Sequence, residues 1–254
     1  MSVSTHSKLN QLLCDSVPGG LLFSKGLRRQ GYSAQLLKRY RDSGWFESLT
    51  RGVMYRRRDR LSALAAVYCY NHQTQSHARI AAHSALELQG FSHYVPMGKP
   101  RLMVAFESEN FENWILSDRF DMTIVPFSTS VFKNPLTHGV DVGAYRYEVS
   151  TPEQAFLECL HLVPSHYSYM DLYYIMEQLT SLDPERVQTA LGRTASQRIK
   201  RMFLYMAEKA GHYWFDMLDQ SVLGLTDSKL QLAAAGTYIS RYRITVPKEL
   251  AAYE

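Results

Sequence analysis

Residues 34–42, Ala-Gln-Leu-Leu-Lys-Arg-Tyr-Arg-Asp, sort their side chains by kind onto two arcs of a helix. Leu36, Leu37 and Tyr40 fall on one arc, while Gln35, Lys38, Arg39 and Asp42 follow i, i+3, i+4, i+7 on the other. Ser33 stands where an N-cap oxygen is needed, and Gly44 stands where the helix must stop. Such a helix buries one face and presents long hydrogen-bonding groups on the other. The neighbouring segments must therefore supply its apolar counterpart.

Those segments are short. Over 8–17, Leu9, Leu12 and Leu13 have the i, i+3, i+4 spacing of an amphipathic helix, which Pro18-Gly19-Gly20 ends. After the apolar run Leu21-Leu22-Phe23, Ser24 is the expected N-cap of a brief helix through Gln30, with Gly31 as its C′ residue. Residues 45–57 form two runs rich in aromatic and β-branched residues around Thr50-Arg51-Gly52, the pattern of a β-hairpin with a basic tip. Helix, helix, capped helix, hairpin is the order of a winged helix-turn-helix. The fold class expected is α+β: an N-terminal winged helix-turn-helix over 1–60, a helical linker region over 61–100 and a larger mixed α/β C-terminal domain over 101–254.

The charge distribution agrees with that division. Residues 1–60 carry twelve Lys/Arg against four acids, a net of +8, although the whole chain is only +4. A basic unit joined to a mildly acidic body is the pattern expected when one part neutralises phosphates. In a winged helix the third helix enters the major groove, where Gln and Arg make bidentate contacts to base edges. The expected base readers are Gln35, Lys38 and Arg39, flanked by Ser33 and Arg41. Lys25, Arg28, Arg29, Arg51, Arg56, Arg57 and Arg58 are expected on phosphates, where they set register without reading sequence. The partner this implies is double-stranded DNA.

Beyond residue 60 the pattern is helix, sheet, helices. Helices are expected over 61–70, 77–88, 152–162, 168–182, 184–191 and 195–210, and strands over 102–106, 122–127, 144–149, 223–232 and 238–246. Thr151-Pro152-Glu153 has the form of a helix start. Ile199, Met202, Phe203 and Met206 lie on one stripe.

Chemistry-bearing motifs are missing. GxGxxG, the Walker loop, HExxH and GxSxG do not occur. His72, His77 and His83 are spaced five and six residues apart and do not share a helical face. Acid pairs such as Glu107/Glu109, Asp118/Asp121 and Asp216/Asp219 have no context that selects an acid and a base. Cys14, Cys69 and Cys159 are odd in number and fall outside any CxxC, so all three are expected to be buried reduced thiols. No enzyme activity, metal or cofactor is expected. The N-terminus lacks a signal-peptide layout and no apolar run approaches a membrane span, so a cytoplasmic protein with no membrane partner is expected. The 17 Tyr and 11 Phe are mostly core, with a partner surface as the other use open to them.

Several stretches together resemble the AbiEi family of antitoxins. They are Ser43-Gly44-Trp45-Phe46 followed by Leu49-Thr50-Arg51-Gly52-Val53-Met54-Tyr55, then Leu61-Ser62-Ala63-Leu64-Ala65-Ala66 and Ala82-His83-Ser84-Ala85-Leu86-Glu87-Leu88-Gln89-Gly90. Thr151-Pro152-Glu153-Gln154-Ala155-Phe156-Leu157-Glu158 and the terminal Tyr242-Arg243-Ile244-Thr245-Val246-Pro247 extend the likeness over nearly the whole chain. The resemblance implies a type IV toxin–antitoxin antitoxin. Its winged helix would repress its own operon at inverted repeats in the promoter, and its C-terminal domain would oppose a nucleotidyltransferase-like toxin without requiring a stable complex. Met54 lengthens the family's RGVY pattern, which leaves two hairpin registers one residue apart. The GS motif of the partner enzymes does not occur, so the chain resembles the regulator of the pair. Two other readings stay open: a stand-alone regulator whose body senses a ligand or partner, and a nuclease steered by the basic unit.

Overall fold

Short helices and short strands make up the chain in the computed structural model, which describes residues 5–91 and 98–253, the side chains of 5–7 excepted. The first elements are α1 (Thr5–Asp15), β1 (Leu22–Phe23), α2 (Ser24–Arg29), α3 (Ala34–Asp42), β2 (Phe46–Thr50), β3 (Val53–Arg56) and α4 (Ala63–Thr74). Then come β4 (Arg79–Ile80), α5 (Ala82–Leu88), β5 (Arg101–Phe106), β6 (Thr123–Ser128), β7 (Thr137–Val142) and β8 (Tyr145–Ser150). The chain continues with α6 (Pro152–His161), α7 (Tyr169–Gln178), α8 (Pro184–Gly192) and α9 (Gln197–Lys209). It closes with β9 (Leu230–Gln231), β10 (Gly236–Ile239), β11 (Ile244–Pro247) and α10 (Lys248–Ala252). The result is a mixed α+β protein with several sheets.

Two compact units share the chain. One takes Met1–Arg79, Pro96–Ser128 and Gly139–Glu148, and the other takes Ile80–Val95, Thr129–His138 and Val149–Glu254. In the first unit a three-stranded sheet runs in the order β1-β3-β2, all antiparallel. The apolar run at 21–23 thus contributes an edge strand that its short length concealed. Its counterpart in the same unit is the parallel pair β5–β6, registered from Arg101↔Thr123 to Phe106↔Ser128. Helix α4 begins where Asp121 Oδ1 accepts from the Ala63 N–H (2.7 Å), so a residue 58 positions away does the capping that Ser62 does not.

The hairpin resolves the register left open by Met54. Ser48 pairs with Met54 and Thr50 with Val53, with a bulge between Ser48 and Thr50 absorbing the extra residue. At the turn Gly52 has φ +83°, a conformation a side chain strains, and its carbonyl accepts from the Ser24 N–H (2.8 Å). Ser24 is the first helical residue of α2 and not its cap: the N-cap is Phe23, whose backbone is still extended at the end of β1 and which makes no side-chain bond.

In the second unit α9 lies at the centre, with every residue from Ile199 to Ala207 buried, far beyond the four-residue stripe expected. Phe203 meets Phe156 of α6 at 5.8 Å and Trp214 at 5.9 Å. Charged groups on this helix avoid orphaned burial by donating to carbonyls. Lys200 Nζ donates to Leu223 O (2.5 Å), and the Arg201 guanidinium donates to Ser228 O (2.6 Å) and to the backbone and hydroxyl oxygens of Thr226. Because those carbonyls serve the cations, the strand expected over 223–232 shrinks to β9, which pairs in parallel with β11. A similar override breaks the helix expected over 77–88. Ile80 pairs with Val149, and the Ala82 N–H donates to the buried Glu158 Oε2 (3.0 Å), so only α5 remains helical. Ser150 and Gln154 donate to the other Glu158 oxygen at 3.1 and 3.2 Å. Of the linker region expected over 61–100, residues 92–97 lie outside the described residues.

Among the cysteines, Cys69 and Cys159 are buried, but Cys14 is exposed. Leu9 and Leu12 take the inward arc of α1, and two further residues turn Cys14 about 200° from Leu12. Burial pushes the Cys69 thiol up to about 11 and raises Cys159 well above its ordinary value, so both stay protonated and unreactive at neutral pH. Iodoacetamide at pH 8 is therefore expected to label Cys14 in the native protein and the other two only in denaturant. Mass spectrometry of the labelled peptides checks this, and native labelling of Cys69 at the Cys14 rate would contradict it.

Candidate nucleic-acid interface

What holds the basic surface in shape is a small apolar core. Leu9 and Leu12 of α1, Leu22 of β1, Leu27 of α2, Tyr32, Leu37 and Tyr40 of α3, Phe46 and Met54 form one buried cluster. Each fully buried aliphatic or aromatic side chain contributes roughly 1.5–3 kcal/mol by leaving water. This fixes the rotation of α3 about its own axis. Leu37 and Tyr40 are turned inward, Leu36 is half-buried, and Gln35, Lys38, Arg39 and Asp42 are exposed together on the opposite side. The Ser33 hydroxyl accepts from the Leu36 N–H (3.2 Å) and starts the helix.

A second group of expected residues meets beside that face. Lys25 and Arg28 of α2, Arg41 of α3 and Arg51 at the hairpin tip line one groove of about 660 Å³, with Ser24 and Ser48 adding hydroxyls. The Arg41 guanidinium is half-buried against Met54, its Nη1 lying 3.9 Å from the thioether sulfur. Four cations line this open groove against the single carboxylate of Glu112, and the excess positive charge favours an extended polyanion. Residues Ala34, Lys38 and Arg41 follow i, i+4, i+7, so the groove and the exposed face of α3 adjoin along one edge of the helix.

The remaining arginines are placed differently. Arg29 donates from Nη2 to Gln73 O (2.6 Å) and from Nη1 to Gln75 Oε1 (2.8 Å), at the end of α4. Arg56 pairs through Nε with Asp59 (3.0 Å) and reaches Leu13 O, while the same Asp59 oxygen accepts from the Gly19 N–H. Arg57 is exposed and lies 3.4 Å from Glu47, a pair that solvent largely screens. Arg58 is exposed and left-handed, φ +75°. Sequence reasoning did not find Arg119, which donates to the Tyr55 hydroxyl (2.5 Å) while that hydroxyl donates to Glu47 (2.6 Å). Burial, then the bond to Glu47, raises the Tyr55 phenol. Arg119 lies 64 residues from Tyr55, and no local pattern links them.

The comparison with family models decides the relationship. A model described as transcriptional regulator, AbiEi antitoxin N-terminal domain, matches residues 5–97, and one described as transcriptional regulator, AbiEi antitoxin, type IV TA system, matches residues 104–247. The chain belongs to the AbiEi antitoxin family. The resemblance first carried by scattered packing motifs therefore extends over the described protein. This family is one of transcriptional regulators and antitoxins of type IV toxin–antitoxin systems. In fold, the AbiEi-family chain is similar to the RV2827C protein from Mycobacterium tuberculosis, with a TM-score of 0.59 and 13% identity over 94% of this chain and 90% of that one. No curated protein matches it. No helix among the described residues is long and apolar enough to cross a membrane.

Proposed function

We propose that the N-terminal sixty residues act as a winged helix-turn-helix that binds inverted repeats in the protein's own promoter and represses the operon. Residues 61–100 connect it to a C-terminal antitoxin domain over 101–254, which counteracts a nucleotidyltransferase-like toxin in the cytoplasm. The observation that supports this best is the outward face of α3, where Gln35, Lys38 and Arg39 are exposed together while Leu37 and Tyr40 anchor the helix behind them. Seated in the major groove, those three read base edges. Lys25, Arg28, Arg41 and Arg51 in the groove, with Arg57 and Arg58 beyond β3, hold phosphates, and Ser33 orients the start of α3. The C-terminal domain, of which residues 104–247 match the model described as AbiEi antitoxin of a type IV TA system, carries the activity against the toxin.

The test is a titration of the full chain with its own upstream DNA and with a scrambled duplex at several salt concentrations. With about six phosphates neutralised, affinity falls roughly a thousandfold between 50 and 200 mM salt, and the upstream DNA keeps its advantage throughout. Equal affinity for the two duplexes would remove the promoter reading. Co-expression with the neighbouring reading frame tests the other half: rescue of growth from a toxic neighbour is expected, and a toxic neighbour left unopposed would contradict it.

A further inference from the structure

Among the cations of the N-terminal unit, Arg29 stands apart. Its neighbours Lys25 and Arg28 line the open groove, yet its own guanidinium is drawn to the C-terminal end of α4, where it bonds Gln73 O and Gln75 Oε1. That end of a helix carries unsatisfied carbonyls and the negative pole of the macrodipole, so a guanidinium there is a charge-assisted cap. Gln75 closes α4 in the left-handed conformation, φ 60°.

Further contacts at this point tie α4 to the DNA-facing elements. The Gln73 side chain works as a strand edge: its Oε1 accepts from the Phe23 N–H (2.8 Å) and its Nε2 donates to Leu21 O (2.7 Å). It thus pairs the edge of β1 that faces away from β3. Gly26 of α2 lies directly on the same residue, since a Cβ there would stand 2.6 Å from Gln73 O. Arginine cap, amide bridge and glycine contact together fix α2, and through the turn at Gly31 and Tyr32 they fix where α3 begins.

We propose that Arg29 is a positioning residue for DNA binding: by clamping α2 to the end of α4 it sets how α3 is presented, and it does not itself contact phosphate. This rests on the DNA-binding reading above. The two roles differ in a measurable way, because each lost phosphate contact lowers the salt slope of binding by about 0.9, whereas a lost positioning contact lowers affinity at every salt concentration alike.

The experiment compares Arg28→Ala, Arg29→Ala and Gln75→Gly in the full chain, by anisotropy titration of upstream DNA across salt concentrations and by amide exchange of the free protein. Glycine suits the left-handed backbone at 75 and removes only the acceptor, so that variant keeps its fold and every cation. Arg29→Ala is expected to weaken binding about tenfold and Gln75→Gly about threefold, both with the wild-type salt slope and faster exchange along α2. Arg28→Ala is expected to lose about 0.9 of slope with exchange along α2 unchanged. A slope lowered by Arg29→Ala, with Gln75→Gly silent, would overturn the proposal and make Arg29 a phosphate contact. Unchanged exchange and affinity in both Arg29→Ala and Gln75→Gly would overturn it as well. If the wild-type protein binds no DNA, the DNA reading fails first and this inference with it, whereas failure of the clamp alone leaves wild-type binding intact.

Discussion

Replacing Lys38 and Arg39 together by Ala is expected to abolish discrimination between upstream and scrambled DNA while leaving the fold in place. Both side chains are exposed, and neither contributes to the apolar cluster of Leu37, Tyr40, Phe46 and Met54 that seats the helix. Alanine is the best helix former, so the backbone gains a little propensity and loses only the favourable position of Arg39 in the last turn. A well-placed contact to a base edge is worth about 1–3 kcal/mol of discrimination. Two lost contacts come to about 2–6 kcal/mol, roughly a thirtyfold loss at the least. Lys25→Ala and Arg28→Ala give the contrast, because losing phosphate contacts weakens both duplexes alike and reduces the salt slope. Anisotropy with the two duplexes, beside circular dichroism of the variant, separates the outcomes. A specificity ratio that survives the double substitution would place base reading elsewhere.

Phe203→Ala is expected to be the most destabilising single change in the second unit. The ring is fully buried at the centre of α9 between Phe156 and Trp214. Truncation removes its transfer free energy and leaves a cavity beside Phe156 and Trp214, a cost of about 3–5 kcal/mol. That is a large part of the 5–15 kcal/mol a typical domain has to spare. Chemical denaturation monitored by tryptophan fluorescence is expected to show the unfolding free energy fall by that amount, with the midpoint lowered in proportion. Any activity the second unit has against a toxin should then fall with the folded fraction. A loss below about 1 kcal/mol would mean that α6 and α9 repack, contrary to the dense surroundings of Phe203.

Both predictions lean on features that are unequally visible in the sequence. The alternation of kinds along 34–42, the cap at Ser33 and the stop at Gly44 are local signals, and the helix forms where they point. The Thr151-Pro152 start and the Ser168–Asp171 pair are local in the same way, and both cap helices, the second as a full capping box. Elsewhere the partner of a group lay far along the chain and local signals misled. Residues 77–81 have helical neighbours in sequence, but Ile80 finds Val149 and the Ala82 N–H finds Glu158, 76 residues away. The stretch after Leu223 is apolar enough for a strand, yet its carbonyls are taken by Lys200 and Arg201.

The charge of the N-terminal unit shows the same divide at the level of function. A net of +8 in sixty residues, and the opposed faces of α3, follow from composition and from the 3.6-residue period, so the sequence by itself determined that a basic helical surface would exist and which side of α3 would carry it. It could not distribute roles among the arginines. Arg28 and Arg29 are adjacent and chemically identical, yet one lines the groove and the other caps α4, because successive helical side chains point about 100° apart and α4 lies on only one of those sides. Arg56 and Arg58 part in the same way around Asp59. Which cation stays free and which is engaged by the protein depends largely on acceptors such as Gln73, Gln75 and Leu13, more than forty residues away, and only the tertiary structure brings those within hydrogen-bond reach.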